Sequence, residues 1–178
     1  FPWPKGKAEL RLTHKGSGKP WVLLEARAAL KLAEPSFHGY RMSRKLVPVE
    51  QKVKGRWSIG DVYRVSLSIE APADMTWVAL ADPIPAGATI LGSALGRDSS
   101  FLTKAEKASF GAWGSYEERS FSGFRAYYEW LPKGTHLIEY TVRLNAPGSF
   151  QLPNSRLEAM YAPEFFAELP NETMDVQK

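Results

Sequence analysis

Apolar and polar side chains alternate along much of this chain, and the alternation is the first indication of its fold. Residues 62–71 carry large apolar side chains at every second position, namely Tyr63, Val65, Leu67 and Ile69. Residues 136–145 repeat the pattern with Ile138, Tyr140, Val142 and Leu144. A period of two is typical of a strand with one face on a core and the other in solvent. The stretches therefore predict an antiparallel sheet, with intervening polar residues such as Thr141 facing water.

Other stretches also have the composition of strands. Residues 76–82 and 124–131 are apolar or aromatic at nearly every position, which favours strands in the middle of a sheet. Residues 39–50 predict another strand, in which Pro48 lacks an N–H donor and so indicates a sheet edge or a bulge. Turns rich in Gly and Pro separate these stretches at short intervals. We predict an all-β fold, an antiparallel immunoglobulin-like β-sandwich.

One long segment lacks a strand pattern. Residues 92–115 are weakly patterned, whereas connections in a sandwich are usually short. Within this segment Thr103 and Glu106 have the spacing of a capping box, which predicts a helix of no more than two turns. We therefore expect an insertion with a short helix at this point of the chain.

The front of the chain carries two more candidate strands. Residues 8–14 and 20–30 lie on either side of a Gly-rich turn, and Pro35 interrupts the chain after them. They belong either to the main sandwich or to a separate small sheet. The chain begins at Phe1 without a charged and apolar leader, so we expect it to be a piece of a longer protein.

Length and composition indicate a globular chain with a substantial core. The 178 residues are 44% hydrophobic, 12% aromatic and 24% charged, enough for one large domain or a domain with part of a neighbour. The net charge of +4 comes from interspersed residues, so we expect no nucleic-acid partner. The absence of cysteine excludes disulfides, thiol catalysis and thiolate metal sites. No run approaches the roughly 18 apolar residues of a membrane span, so no direct membrane insertion is expected.

Residue types that serve catalysis are present but scattered. The histidines lie far apart and outside any metal-binding spacing: His14, His38 and His136. Glu117 and Glu118 are adjacent, so on a strand their carboxylates point to opposite faces and cannot act as a pair. The remaining acidic candidates occupy turn-type positions, where capping and solvation are expected: Glu50, Asp61, Asp74, Asp82 and Asp98. We predict no catalytic residue, no metal site and no cofactor.

Tryptophans offer a different kind of site. Exposed aromatic rings stack on sugars in binding modules, whereas tryptophans more commonly seal the ends of a sandwich. The sequence alone is compatible with both roles for Trp3, Trp21, Trp57 and Trp113.

The most unusual segment, residues 156–170, lies close to the C-terminus. Its large apolar residues follow neither strand alternation nor helical spacing: Met160, Tyr161, Phe165 and Phe166. Pro163 and Pro170 exclude a long helix. We expect Phe165 and Phe166 to belong to the core of the domain. Met160 and Tyr161 either end the last strand or contact a partner.

Several stretches, taken in order, resemble one family. They are FPWP at residues 1–4, GSGKPW at 16–21, GYRMSRKLVPVEQK at 39–52, the run from GRWSIGD to ATILG at 55–92, YEERSF at 116–121, the run from FRAYYEWL to GSFQLP at 124–153, and EAMYAPEFFAE at 158–168. Together they are similar to the C-terminal region of bacterial α2-macroglobulins, over nearly the whole chain. Each stretch is a weak signal, but their order and spacing are specific.

The resemblance implies a periplasmic parent protein, anchored in many members to the inner membrane as a lipoprotein. Such proteins are strings of macroglobulin β-sandwich domains that trap proteases after cleavage of a bait region. In many members a reactive thioester then captures the protease covalently. The resemblance implies that residues 1–35 are the C-terminal part of a CUB-like sheet and residues 36–178 the terminal macroglobulin domain, MG10. The implied partners are the adjacent thioester and CUB domains and, through the parent, target proteases.

The resemblance also implies a role for the loop of residues 160–164. In thioester-bearing members a locking loop of the terminal domain packs over the thioester of the neighbouring domain and keeps water away. Its positions in this sequence are Met160, Tyr161, Ala162, Pro163 and Glu164. A thioester survives in water only where apolar groups exclude solvent, and Met and Tyr suit that task. If a partner covers this loop in the parent, Met160 and Tyr161 should be exposed in the isolated chain.

Three hypotheses about function follow. The first is a non-catalytic domain of a periplasmic protease inhibitor that packs against, and shields, a thioester domain. The second is a carbohydrate- or surface-binding β-sandwich, which predicts an aromatic strip on one sheet. The third is a hydrolase, which would require distant residues such as His136 and Glu118 to meet in the fold.

Overall fold

The computed structural model describes the following parts of the chain: residue 6 and residues 9–25, 31–92 and 115–178. Every regular element among them is a β-strand, so the all-β prediction is confirmed. No helix in these parts is long and apolar enough to span a membrane. The predicted short helix lies outside the described residues, as do Asp98, Trp3 and Trp113. The chain divides into two compact units, Phe1–Lys31 and Leu32–Lys178.

The second unit contains all the strands that the structure describes. In chain order they are β1 (Ser36–His38), β2 (Arg41–Glu50), β3 (Trp57–Ser58), β4 (Val62–Ala71), β5 (Met75–Pro83), β6 (Thr89–Ile90), β7 (Ser115–Ser120), β8 (Gly123–Leu131), β9 (Gly134–Arg143), β10 (Gly148–Phe150), β11 (Ser155–Ala159), β12 (Ala162–Leu169) and β13 (Met174–Gln177). Their pairings are antiparallel except for the short pairing of β13 with β3.

One layer of the sandwich is a four-stranded sheet with the order β2-β4-β9-β6. The predicted alternation is confirmed on the inner face of β4 and β9, where these side chains are buried: Tyr63, Val65, Leu67, Ile69, Ile138, Tyr140 and Val142. The prediction for Thr141 was wrong, because this residue is buried on the outer face. The N–H of Leu91 donates to the Thr141 carbonyl at 2.8 Å, so the chain that follows β6 covers this position.

Strand β2 confirms both predictions that Pro48 suggested. It lies at the edge of the four-stranded sheet, and its register with β4 shifts between Pro48 and Glu50. A residue without an N–H donor is tolerated at such a position because no ladder hydrogen bond depends on it.

The opposite layer is a six-stranded sheet with the order β1-β12-β11-β5-β8-β7. Strands β5 and β8 lie inside this sheet, as their apolar composition predicts. Val78, Leu80 and Phe124 are buried on the inner face, but Trp77 on β5 is exposed. The apolar residues at outward positions therefore reflect an uncovered surface rather than a second buried face.

A third, three-stranded sheet with the order β10-β13-β3 completes this unit. Trp57 on β3 is half-buried against the core, with its ring 5.3 Å from that of Tyr63. This tryptophan therefore has the sealing role that the sequence left open.

An aromatic stack and an ion pair cross between the two main layers. The rings of Phe124 on β8 and Tyr140 on β9 stack with centroids 4.6 Å apart. The Arg44 guanidinium on β2 contacts the Asp82 carboxylate on β5, and the hydroxyls of Tyr140 and Ser155 donate to the same carboxylate. Asp82 is fully buried, so the prediction of a solvated turn position was wrong for this residue. Strand β5 extends to Pro83, into the start of the Pro-containing stretch 82–88, so Asp82 is a strand residue whose carboxylate lies in the interior.

The other turn-type acids follow the prediction more closely. Asp61 caps a turn by accepting hydrogen bonds from the N–H groups of Lys52 and Ser58, at 3.0 and 2.9 Å, although it is buried rather than solvated. Asp74 is exposed and accepts a hydrogen bond from the N–H of Lys133 at 2.7 Å.

The first unit differs from the prediction. Residues 9–25 contain no strand, although strands were predicted at 8–14 and 20–30. Their apolar side chains are exposed, and the indole of Trp21 is fully so. A two-stranded ribbon is marginally stable without a layer to cover its apolar face, which accounts for the difference.

Candidate functional site

The segment singled out in the sequence forms a tight turn between β11 and β12. Ala159 pairs with Ala162, so Met160 and Tyr161 are the two residues of the β11–β12 turn. Two-residue hairpin turns usually use Gly or Asn with positive φ, yet among the described residues Trp77 is the only non-glycine with positive φ. The turn therefore belongs to neither favoured hairpin type. Its bulky side chains are not explained by turn chemistry.

A bulge follows the turn and accommodates its unusual geometry. Glu158 pairs with Phe166, whereas the next residue, Ala159, pairs with Ala162. The residues between the two pairings are therefore extra on β12: Pro163, Glu164 and Phe165. Bulges redirect side chains and tolerate a residue that lacks an N–H donor, which suits Pro163.

The bulge also explains why the prediction for the two phenylalanines was wrong. Phe165 is 37% exposed, and its ring lies against the backbone of Gly39. Phe166 is half-buried on the outer face, where its ring stacks on His38 at 4.7 Å and lies 4.9 Å from the guanidinium of Arg156. From this strand, Ala167 and Leu169 enter the core instead.

Met160 and Tyr161 are exposed, as expected of a loop that a partner covers. The exposed fraction is 51% for Met160 and 79% for Tyr161. Ala162 is half-buried, whereas Pro163 and Glu164 are exposed. The predicted loop residues thus lie together at the end of the six-stranded sheet where β11 turns into β12, and all of them except Ala162 are exposed.

Trp77 is a part of this site that sequence reasoning missed. Its carbonyl accepts a hydrogen bond from the N–H of Met160 at 2.8 Å, which extends the β5–β11 ladder by one bond. Its indole meets the Tyr161 ring edge-on, with centroids 6.2 Å apart. The backbone of Trp77 has φ 55°, in the left-handed region. The available signal was an aromatic residue in a stretch that is apolar on both faces, but the sequence does not show which face stays uncovered.

The exposed apolar residues continue across the sheet as a stripe. Tyr127 on β8 stacks on Tyr116 of β7, with centroids 6.2 Å apart. A cleft of about 150 Å³ lies between these strands and the turn, lined by residues that include Trp77, Tyr116, Tyr127 and Met160. We call the following set the apolar stripe: Trp77, Tyr116, Tyr127, Met160 and Tyr161.

Burial affects one titratable group at the cleft. Tyr128 also lines the cleft, and its burial raises the pKa of the hydroxyl above its ordinary value, with the charge of Glu117 adding to the effect. The hydroxyl therefore stays protonated in neutral solution, so it presents a hydrogen-bonding group rather than a charge.

Glu118 and His136, the residues that the hydrolase hypothesis would bring together, have separate partners in different sheets. Glu118 on β7 pairs with Arg125 at 3.1 Å, whereas His136 on β9 is buried in the other sheet with Nε2 2.7 Å from the carbonyl of Pro132. Glu117 lies 3.4 Å from Arg119, so the two adjacent glutamates have separate partners, as alternation predicts. The described residues contain no group of three or more acidic or histidine side chains that could hold a metal ion.

Comparison with known proteins gives a consistent assignment. A family model described as the bacterial α2-macroglobulin MG10 domain matches residues 39–164. The chain is 25% identical to an α2-macroglobulin homologue of Nostoc over 98% of its length and 10% of the homologue's.

Solved structures agree on the fold. Escherichia coli α2-macroglobulin activated by porcine elastase aligns with a TM-score of 0.66 at 18% identity, over 82% of this chain and 14% of that one. Salmonella α2-macroglobulin reacted with methylamine aligns with a TM-score of 0.63 at 21% identity, over 82% and 10%. The chain spans only about a tenth of its curated relative. It belongs to the family of bacterial α2-macroglobulin MG10 domains.

Proposed function

We propose that this chain is a non-catalytic domain of a protease-trapping α2-macroglobulin, and that its β11–β12 turn packs on the neighbouring domain to shield a thioester there. Met160 and Tyr161 supply the plug, and Ala162, Pro163 and Glu164 complete the locking loop. The parent is periplasmic and anchored to the inner membrane as a lipoprotein. Residues 1–35 are the end of its CUB-like sheet.

One observation carries the proposal: two large apolar side chains are exposed on a two-residue turn that does not need them. Met160 and Tyr161 expose 51% and 79% of their surface, where small polar residues would cost nothing. Exposed apolar groups gathered in one patch are typical of an interaction site. The bulge after the turn holds a proline, Pro163, which limits the conformations available to the loop.

The chemistry of a thioester explains the residue types. A thioester is hydrolysed by water and attacked by amines unless solvent is excluded from it. Exclusion requires apolar groups that fill space without offering a nucleophile. The Met160 thioether adapts its shape, and the Tyr161 ring is rigid and broad. In this arrangement the domain performs no chemistry and acts by exclusion.

The test uses the full-length parent protein. Met160→Ala with Tyr161→Ala should speed spontaneous release of the thioester thiol, measured with a thiol-reactive dye in the absence of protease. Phe121→Ala is the matched control, because Phe121 is 82% exposed in the turn between β7 and β8, at the opposite end of those strands from Tyr116. Equal rates of thiol release for the double variant and the unmodified parent would contradict the shielding role.

A second candidate function is carbohydrate binding, which the apolar stripe favours because it runs across one sheet. Its rings belong to Trp77, Tyr116 and Tyr127 rather than to the tryptophans first considered. The mutual stacking of Tyr116 and Tyr127 occupies one face of each ring, which leaves less surface for a sugar. Glycan binding by the 178-residue chain that Tyr116→Ala abolishes would support this second function instead.

A further inference from the structure

Trp77 has a backbone conformation that needs a physical cause. It is the only non-glycine residue with positive φ among those the structure describes, at 55°. On either side of it Thr76 pairs with Trp130 and Val78 with Tyr128, whereas Trp77 itself has no pairing in this ladder. A bulky residue adopts the left-handed region only where its surroundings hold it there. The interruption of β5 is therefore built into the fold.

The conformation lets one residue contact both residues of the β11–β12 turn. The Trp77 carbonyl accepts the Met160 N–H at 2.8 Å. The indole ring meets the Tyr161 ring edge-on, with the ring centroids 6.2 Å apart, which is a favourable geometry for aromatic pairs. Backbone and side chain thus act on the turn together.

Regular strand pairing ends or becomes irregular beside the turn on both sides of β11. The β5–β11 ladder ends at Val78 opposite Ala159, and the β11–β12 hairpin is irregular directly beside the turn. On the β12 side, the pairing directly beside the turn is therefore the single pair of Ala159 with Ala162. The contacts of Trp77 therefore lie where the hairpin itself gives least support.

We propose that Trp77 is the positioning residue of the β11–β12 turn, which holds Met160 and Tyr161 in the orientation that shields the thioester of the neighbouring domain. The inference rests on the proposed function of the turn. Trp77 contacts the plug and orders it before the partner docks, which lowers the conformational cost of docking.

The test has one readout in the isolated chain and one in the parent. In the 178-residue chain, Trp77→Ala should raise the hydrogen-exchange rate of the Met160 amide about fivefold to tenfold, the effect of weakening one hydrogen bond. Trp77→Phe retains an aromatic ring and should keep the exchange rate within about twofold of the original. Trp130→Ala is the control. Trp130 is also an exposed tryptophan of this sheet, but it pairs regularly with Thr76 in the ladder between β5 and β8.

In the parent, Trp77→Ala should accelerate thiol release although Met160 and Tyr161 are intact, and Trp77→Phe should restore the slow rate. If Trp77→Ala does not fold, Trp77→Gly replaces it, because glycine adopts positive φ without the strain that a Cβ causes there. An unchanged Met160 exchange rate in the folded Ala or Gly variant would overturn the positioning role.

The two proposals fail in different ways. Faster exchange without faster thiol release overturns the role of Trp77 in shielding, provided that the Met160 and Tyr161 double variant does release thiol faster. If the double variant releases thiol at the original rate, the proposed function of the turn fails, and the inference about shielding fails with it. The exchange measurement then still decides whether Trp77 orders the turn.

Discussion

The guanidinium of Arg44 lies between the layers of the sandwich with its Nε 3.0 Å from Oδ1 of Asp82. The side chains are only 10% and 0% exposed. Burial is the largest single effect on the pKa of Arg44 and lowers it, but the charge of Asp82, its hydrogen bond and the nearby Tyr140 and Tyr63 together outweigh burial and raise the pKa above its ordinary value. Hydroxyls of Tyr140 and Ser155 complete the shell of the carboxylate, and Asn171 donates to Ser155 at 2.9 Å. This network ties β2, β5, β9 and β11 together.

Removing one partner of this pair should destabilise the domain strongly. Arg44→Met leaves the Asp82 carboxylate buried without its cation, and we expect a loss of about 3–5 kcal/mol in the free energy of unfolding. Arg125→Met breaks the exposed pair with Glu118 and should cost no more than about 1 kcal/mol. Urea titration of both variants measures the difference. Equal losses would show that the buried pair has no special role.

Gly39 and Gly55 provide a matched pair for testing how Phe165 packs. Both have φ near 80°, at 82° and 81°, so alanine costs both sites a similar backbone strain of about 1–2 kcal/mol. A Cβ at Gly39 would lie 2.4 Å from Cδ1 of Phe165, whereas nothing lies within 4 Å at Gly55. Gly39→Ala should therefore lose about 1–3 kcal/mol more than Gly55→Ala in thermal or urea unfolding. The excess should disappear in a Phe165→Ala background, and its persistence there would contradict the contact.

The features that were predicted correctly from the sequence are those in which neighbouring residues all favour the same local structure. Strand β4 spans Val62–Ala71, the stretch whose alternation predicted it, because every second side chain favours the same face. Phe165 and Phe166 were misassigned because the register shift beside the β11–β12 turn depends on pairing with β11, which local composition does not encode.

Long-range partners account for the other differences. Asp82 resembles a turn residue in the sequence, and its burial depends on Arg44, 38 positions away. Residues 76–82 were predicted to form a central strand, which is confirmed, but the sequence does not tell which of its two apolar faces remains uncovered, and so the exposure of Trp77 was missed. The missing period at Met160 and Tyr161 left two interpretations open, and it was the resemblance to α2-macroglobulins that implied the exposed loop at these residues.

Gly123 tests a closer approach between backbones. It starts β8 opposite Pro83, and a Cβ there would lie 2.4 Å from the carbonyl oxygen of Asp82. Main-chain atoms cannot move aside as a flexible side chain can, so Gly123→Ala should cost about 3 kcal/mol. Gly134 is the control, since its φ is also positive and nothing lies within 4 Å of the added carbon. In urea unfolding, Gly134→Ala should have a clearly higher free energy of unfolding than Gly123→Ala. The reverse order would contradict the close approach of the two backbones at Gly123.

The buried tyrosines predict a loss of stability in alkaline solution, and Tyr40 isolates one contribution. Burial raises the pKa of Tyr40 to about 12, and its hydroxyl has no hydrogen-bond partner among the described residues. Above its unfolded pKa of about 10 the unfolded chain loses a proton that the folded chain keeps, so stability is full below pH 10 and falls as the pH rises towards 12. Each such proton costs at most about 1.4 kcal/mol per pH unit.

Tyr40→Phe should change the free energy of unfolding at pH 7 by no more than about 1 kcal/mol. Between pH 10 and 12 the free energy of unfolding of this variant should fall less steeply than that of the original chain, by the contribution of one proton. Urea unfolding at intervals from pH 7 to 12 measures both effects. A Tyr40→Phe profile parallel to the original would mean that Tyr40 ionises equally in the folded and unfolded states.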